Sequence, residues 1–453
     1  MITARIPSNW VPERSYTLQV LFLSILGLKI DILSEDRVDT ELSADGRAFA
    51  VIADTGFGKW RDGSLPHAAA LPHALQWLDC PFTGHSLPVL YGRPAIHAYT
   101  PLEVEADLIA GAFLMLTRWE EMVDGDCDLH GRFPAHRSCT GKWGLLERPV
   151  VNEYAHYLRA LAQVAGIALP EPPNQFAVVP THDVDIYRTP RRLRNFAADL
   201  LRRRSPKALL QRMRVTAGGP DPVHTFEGLL DLSESMNTTS RFFFMAGGRT
   251  RFDPQTYHIE DPAVVSLVRQ IAARGHGIGF HPSYATHHDP VLWRAEHSRL
   301  QNMAGFPVRE GRQHYLRFRP PHTWRHWEEA GMTTDWTMTY ADQCGFRCGT
   351  STPHPVFDVE ARKPLRLMEQ PTVVMDGTLL HYERLTFPDM RAKISKLREV
   401  CRQWSMPFTL LFHNHIFAEH PEMWGVYRVA LGLEDNTTES DRHDDPAMYA
   451  TQP

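Results

Sequence analysis

The sequence predicts an α/β protein in which a smaller α/β domain precedes a parallel (β/α) barrel. A chain of 453 residues is too long for a single ordinary hydrophobic core, so the length favours several domains, or a barrel with a smaller module. From residue 176 onward, short apolar runs alternate with helical segments, which is typical of parallel α/β folds. Three of these runs stop abruptly at Asp or His, as strands that carry a site do.

Composition excludes several classes of protein. Hydrophobic residues make up 43% of the chain and charged residues 22%, which indicates a globular protein. The formal net charge of -5 provides no global basic field for nucleic acid. The apolar segment Leu18–Leu28 is interrupted by Gln19 and Ser24 and is too short to span a bilayer. Six scattered cysteines without a Cys-x-x-Cys pair favour reduced thiols, so we expect a cytoplasmic location.

The first domain is predicted to cover residues 1–170. Helical spacing of apolar residues predicts helices at 16–28, 103–123 and 154–164, and alternation predicts a strand at 48–52. The stiff segment Pro170–Pro173 then marks the boundary.

The second domain is predicted to cover 171–433, and the polar segment 434–453 is predicted to be a disordered tail. Its predicted strands are at 176–179, 241–246 and 277–280 and near Val308 and Phe346, and its predicted helices are at 228–236, 263–274 and 290–303.

The segment Phe176–Asp185 is the centre of the predicted site. Its apolar run reads as a buried parallel strand, and Asp183 and Asp185 lie at its carboxyl end. Side chains two residues apart point the same way from an extended backbone, so two carboxylates would repel each other unless a cation, a proton or arginines neutralised them. The simplest cation is a metal. The alternative is that one aspartate caps a helix or opens a turn.

Two further strand ends offer imidazoles. His281 follows the short strand Gly277–Phe280, and a neutral imidazole facing two carboxylates is typical of a zinc site. The buried run before His413 breaks into His-Asn-His, and an imidazole there could give a proton to a leaving group. Between them lies Arg312–Tyr315.

The order of these motifs resembles the polysaccharide deacetylase family of metal-dependent carbohydrate esterases. The resemblance covers about 176–430 and depends on four blocks in the family's order. It is similar to a branch with an extra N-terminal domain, through Leu116–Glu121, Asp128–Phe133 and Arg148–Asn152. The four blocks are Thr181–Asp185, Gly275–Pro282, Arg312–Tyr315 and Leu411–His413.

The resemblance implies a distorted (β/α) barrel and the removal of an acetyl group from an N-acetylated sugar of a polysaccharide or glycan precursor, such as a lipid-linked sugar. It implies a divalent metal, for which Zn²⁺ is the preferred candidate, and the following residue roles. Asp183 is the base, Arg312 orients it, and His413 is the acid; Asp185, His281 and His314 are the metal ligands, and Tyr315, Trp336 and Asn414 are substrate-binding candidates.

Departures from the family pattern leave alternatives open. Val184 stands where the family has its second Asp, and Ala285 stands where it has a second His ligand. The third ligand is therefore His314, His287 or His288, with His314 preferred because strand-end residues are better fixed than loop residues. Arg319-Pro-Pro321 is an alternative arginine block. A degenerate glycan-binding module and an amidase acting on a non-sugar substrate are the competing functions.

The segment Arg188–Arg214 is strongly basic. It holds ten arginines and lysines against the single acid Asp199, and its apolar residues at 193, 196, 197, 200 and 201 share a helical face. This pattern predicts either a solvated surface helix or peripheral contact with an anionic membrane.

Overall fold

A computed structural model describes residues 1–65, 67–79, 84–123, 125–189, 206–254 and 256–433. The predicted tail 434–453 and most of the basic segment, including Arg202, Arg203 and Arg204, lie outside these residues. Within the described part of the chain, every helix is too short or too polar to span a membrane.

Strands occur throughout the described chain and form several sheets, so the protein is a mixed α/β fold. The strands are β1 (Ile2–Pro7), β2 (Ile30–Glu35), β3 (Thr40–Ala44), β4 (Arg47–Ile52), β5 (Gln76–Leu78), β6 (Leu87–Val89), β7 (Gly92–His97), β8 (Leu102–Ala106), β9 (Val178–Val184), β10 (Arg241–Phe244), β11 (Gly277–Phe280), β12 (Glu310–Gly311), β13 (Thr334–Asp335), β14 (His354–Asp358), β15 (Lys363–Glu369), β16 (Val374–Met375) and β17 (Phe408–Leu411).

Helices separate some of these strands and follow the last of them. They are α1 (Val11–Gln19), α2 (Leu108–Thr117), α3 (Glu120–Val123), α4 (Cys139–Lys142), α5 (Val150–Val164), α6 (Pro206–Thr216), α7 (Phe226–Ser235), α8 (Pro262–Ala273), α9 (Pro290–Ala304), α10 (His322–Glu329), α11 (Phe387–Gln403), α12 (Ile416–Glu419) and α13 (Met423–Leu431).

The described chain divides into two compact units. Unit 1 comprises 1–177, 315–374 and 396–409, and unit 2 comprises 178–314, 375–395 and the chain from 410, each within the described residues. The division into 1–170, 171–433 and 434–453 stays a prediction.

Unit 1 contains a six-stranded sheet with the order β2-β1-β3-β4-β8-β7 and a small antiparallel pair, β5-β6. Its apolar face is buried by α2 and α5 among others, and α2 is buried along its whole length. In the later part of this unit, β15 pairs with β13 in parallel and with β14 in antiparallel orientation.

Unit 2 is built on parallel strands in the order β12-β11-β10-β9, with β17 beyond β9. Phe242, Phe243 and Phe244 of β10 are fully buried, as a central parallel strand requires. The Phe412 N–H donates to the Thr181 carbonyl at 3.0 Å, which places the chain that follows β17 beside β9.

Two local predictions were wrong. The predicted helix 103–123 begins only at Leu108, because Leu102, Val104 and Ala106 alternate with exposed or half-buried glutamates and form β8. The Asp107 side chain accepts from the Ala110 N–H at 2.9 Å and starts the helix. The strand predicted near Phe346 is a turn, with Gly345 at a positive φ of 140°.

Candidate metal and catalytic site

The ends of three parallel strands meet in unit 2. Asp183 lies in β9, His281 follows β11 directly, and Arg312 follows β12. The strands are in register, with Asp183 opposite Phe243 and Phe280 opposite Gly311. Carboxyl ends of parallel strands lie at one edge of a sheet, so residues far apart in the chain are brought together here.

Asp183 and Arg312 form a buried ion pair. Arg312 Nη1 donates to Asp183 Oδ1 at 2.8 Å, and its Nη2 donates to Thr181 Oγ1 at the same distance. The guanidinium lies 4.9 Å from the centre of the Phe243 ring and is fully buried. These contacts fix the carboxylate and leave Asp183 Oδ2 directed towards His281, 3.7 Å from its Nε2.

Asp185, His281 and His314 form a cluster that could hold a metal ion. One ligand atom from each lies within 4.8 Å of the others. His281 Nε2 is 3.2 Å from Asp185 Oδ1, and His314 Nε2 is 3.7 Å from Asp185 Oδ2. The two imidazole rings are 5.0 Å apart and are inclined at 62°.

The hydrogen bonding of His281 tests whether a cation fits. His281 Nδ1 is 2.7 Å from the Arg312 carbonyl oxygen, which can only accept, so Nδ1 carries the proton. In the neutral ring, Nε2 is then a bare acceptor, and it faces another acceptor, Asp185 Oδ1. Both atoms are buried without a hydrogen-bond partner among the described residues. Two facing lone pairs in a buried place are unfavourable unless a proton or a cation lies between them, and a carboxylate beside two imidazoles is a donor set that fits a divalent metal.

Asp253 holds the third member of the cluster and was not predicted from the sequence. His314 Nδ1 lies 3.3 Å from Asp253 Oδ1, which also accepts from the Tyr284 N–H at 2.9 Å. Thr250 donates its N–H and its hydroxyl to Asp253 Oδ2. A carboxylate behind a histidine in this way orients metal ligands and raises their basicity. Asp253 follows β10 in an irregular segment, where Asp-Pro signals only a turn.

The charged groups of the cluster shift one another's pKa values. Burial acts to raise the pKa of Asp185, but the positive charge of the neighbouring His314 brings it well below its usual range. Burial acts to lower the pKa of His314, but Asp185 and Asp253 raise it to about 9. Asp253 has a pKa lowered to about 2, because hydrogen bonds from His314, Tyr284 and Thr250 outweigh burial.

His413 adjoins the cluster and is held by Asp376, a carboxylate that the sequence did not predict as a site residue. Asp376 Oδ1 lies 2.8 Å from His413 Nδ1, and Asp376 Oδ2 accepts from the His413 N–H at 2.6 Å. His413 Nε2 lies 3.7 Å from Asp185 Oδ2, so it faces the cluster. Asp376 comes just after the two-residue strand β16, and nothing in the local sequence except Asp-Gly distinguishes it from a turn residue.

The remaining predicted site residues of unit 2 lie outside this cluster. His287 and His288 lie in a single turn, with their rings 4.4 Å apart, and neither belongs to the cluster found among the described residues. Asn414 is buried and donates its Nδ2 to the carbonyls of Ile186 and Val223, which tie two loops of unit 2 together.

Tyr315 and Trp336 belong to unit 1. The Tyr315 ring lies 4.7 Å from the His130 ring, and Trp336 is almost fully buried. Their roles in substrate binding stay predictions.

Comparison with known proteins adds the following. Residues 2–165 match the model of a family of unknown function, DUF7033. No curated protein matches the chain.

Among solved structures, the chain is similar to a protein provisionally named polysaccharide deacetylase from Mycobacterium smegmatis, with 17% identity and a TM-score of 0.37, over 59% of this chain and 85% of that chain. It is also similar to a polysaccharide deacetylase from Bacillus cereus, with 12% identity and a TM-score of 0.28, over 59% of this chain and 94% of that chain.

Proposed function

We propose that the protein is a metal-dependent hydrolase that removes an acetyl group from an N-acetylated sugar of a polysaccharide or glycan precursor. The observation that carries the proposal is the pair of buried, facing acceptors on His281 and Asp185, beside the ion pair of Asp183 with Arg312. The motif order described above supports the choice of substrate class. The same proposal includes closure of the parallel strands into a distorted (β/α) barrel.

Asp185, His281 and His314 would hold the metal, with Zn²⁺ first because a carboxylate and two imidazoles are typical zinc ligands. When bound, the metal supplies Lewis-acid polarisation of the amide carbonyl and makes a neighbouring water more acidic. Asp253 holds the His314 ring in place through Nδ1.

Asp183 is the proposed base. Arg312 binds its Oδ1, so Oδ2 is the oxygen that faces the cluster and takes a proton from the attacking water. The water oxygen then bonds to the acetyl carbon. Because Arg312 is itself fixed by Thr181, the carboxylate is held in one orientation before substrate binds.

His413 is the proposed acid. Its Nδ1 is engaged by Asp376, so a proton on Nε2 points to the cluster and can pass to the amide nitrogen as the C–N bond breaks. The products are acetate and a free amine. A negative Asp376 also favours the protonated imidazole that this step needs.

The test combines metal analysis with amine release from N-acetylglucosamine oligomers and from simple N-acyl amines. We expect about one zinc per chain, lost in Asp185→Ala and His281→Ala while the fold survives. Asp183→Asn should keep the metal and abolish amine release, and the surface variant Asp231→Asn should keep both. Full metal occupancy in the two ligand variants would contradict the proposed site.

Other outcomes separate the alternatives. If Asp183→Asn loses the metal, then Asp183 is a ligand and its role must be exchanged with that of Asp185. Binding of oligomers without amine release would favour a degenerate glycan-binding module, and release from simple N-acyl amines alone would favour a non-sugar amidase. A cytoplasmic location, a lipid-linked substrate and contact of the basic segment with anionic membrane remain part of this proposal.

A further inference from the structure

A cleft of about 950 Å³ lies in unit 1, built from residues that the proposed hydrolysis does not use. Its wall is formed by α5 and by the last two turns of α11, with the segment 84–87 and the loop after α4 at its rim. A volume of this size lies within the range of small-ligand sites. The residues that line it indicate which chemistry it would accept.

The charged groups of the cleft are already paired with protein. Arg148 donates to both oxygens of Glu153 at 2.9 and 2.7 Å, and Lys396 donates to Glu147 at 2.6 Å. Arg159 is engaged by the Pro170 carbonyl and by Glu171. Since its cations are neutralised, the cleft has no field that would favour phosphate or another anion.

His156 is a polar residue of α5 on this wall. It is half-buried, and neither of its ring nitrogens has a hydrogen-bond partner among the described residues. Burial, with Arg159 nearby, lowers the pKa of His156 to about 4, so the ring is neutral at physiological pH. A neutral imidazole presents one donor and one acceptor, which is the pattern that a hydroxyl group can satisfy from both sides.

Three side-chain amides of the cleft are neutral as well. The amides of Gln163, Gln343 and Gln403 line the same cleft, and none is bonded to the described protein. Each amide offers two N–H donors and one acceptor oxygen, and none carries a charge. The cleft is therefore polar and neutral, and it is able to bind a ligand rich in hydroxyls.

Trp404 supplies an apolar surface in the cleft. Trp404 lies on the wall with its ring centre 5.2 Å from that of His156, at 78°. Trp77 lies outside the lining, with the guanidinium of the cleft residue Arg148 5.0 Å from its ring centre. Aromatic rings beside neutral hydrogen-bonding groups match sugar rings, which have an apolar face and a hydroxylated edge.

We propose that this cleft of unit 1 binds a neutral oligosaccharide, with Trp404 packing against a sugar ring and His156 hydrogen-bonded to its hydroxyls. The inference goes beyond the proposed hydrolysis, since it concerns a second binding site and requires no chemistry. A neutral peptide is the competing ligand, and the experiment below distinguishes it from a glycan.

Titration calorimetry on the full chain carrying Asp183→Asn tests the proposal, because this variant removes hydrolysis and leaves unit 1 unchanged. The probes are cellotetraose, the tetramer of N-acetylglucosamine, inorganic phosphate and an uncharged tetrapeptide. We expect saturable binding of at least one tetrasaccharide, with the Kd raised at least tenfold by Trp404→Ala and about fivefold by His156→Ala. Glu399→Gln, an exposed position on α11 outside the cleft, is the matched control and should change nothing.

Several results would overturn the proposal. These are no saturable binding of either tetrasaccharide, binding of cellotetraose that both cleft variants retain, or Trp404-dependent binding of phosphate or peptide instead. Circular dichroism melts of each variant establish that the fold survives, and Gln163→Ala, an exposed substitution, provides a second test if Trp404→Ala does not fold. Amine release by the unmodified protein is measured separately, so failure of the hydrolase proposal and failure of this one are distinguishable.

Discussion

The buried pair of Arg312 with Asp183 allows a quantitative test of the site. Arg312→Met keeps much of the side-chain volume beside Phe243 but removes both 2.8 Å hydrogen bonds, to Asp183 and to Thr181. Asp183 is only 3% exposed, so the variant leaves a carboxylate buried without its cation. Loss of one partner of such a pair costs about 3–5 kcal/mol in free energy of unfolding. We expect a loss of that size.

The assay is urea unfolding followed by circular dichroism in the presence of a chelator, so that loss of metal contributes nothing. Arg274→Met is the control, because its three acidic partners are exposed, and it should cost about 1 kcal/mol or less. The double variant with Asp183→Ala removes both charges, and its cost should fall short of the sum of the single variants by about 2–3 kcal/mol. Additive costs, or a cost for Arg312→Met no larger than that of the control, would refute the role given to this pair.

Three further predictions follow from other contacts. Asp253→Ala should weaken zinc binding about 10- to 100-fold in chelator competition, because His314 loses its Nδ1 partner; unchanged affinity would mean that the cluster does not depend on that contact. Asp376→Asn and His413→Ala should each lower kcat about 100-fold or more with little change in substrate affinity, because both disturb the proposed acid, His413. An effect on KM alone would assign His413 to substrate binding. Burial lowers the pKa of His354 from its ordinary 6.5 to about 4, so the unfolded state binds more protons between these pH values and the free energy of unfolding falls as the pH drops through that window. His354→Leu should remove about 3 kcal/mol of this pH dependence. If the variant and the unmodified protein show the same dependence between pH 7 and 3, this role of His354 is excluded.

Much of the local structure of unit 2 could be predicted from the sequence. The apolar runs that became β9, β10 and β11, and the helices α7, α8 and α9, are encoded by patterns a few residues long. The polar residues at the strand ends stood out for the same reason, since a buried run that breaks into Asp or His is a local signal. The failed prediction at 103–123 has a local cause too, because Leu102–Ala106 satisfies the strand period before the helix begins.

By itself, the sequence determined which residue types end the strands, and with them the candidates Asp183, Asp185, His281 and His413. Only the tertiary structure decided that His314 joins the cluster, that Asp253 supports it and that Asp376 holds His413. These contacts link residues 61 and 37 positions apart, and a carboxylate in an irregular segment carries no periodic pattern that points to its partner. The physical reason is that the hydrophobic pattern that predicts a strand or helix depends on residues that are neighbours in the chain. Which side chains contact each other in the site depends instead on where the parallel strands end in space.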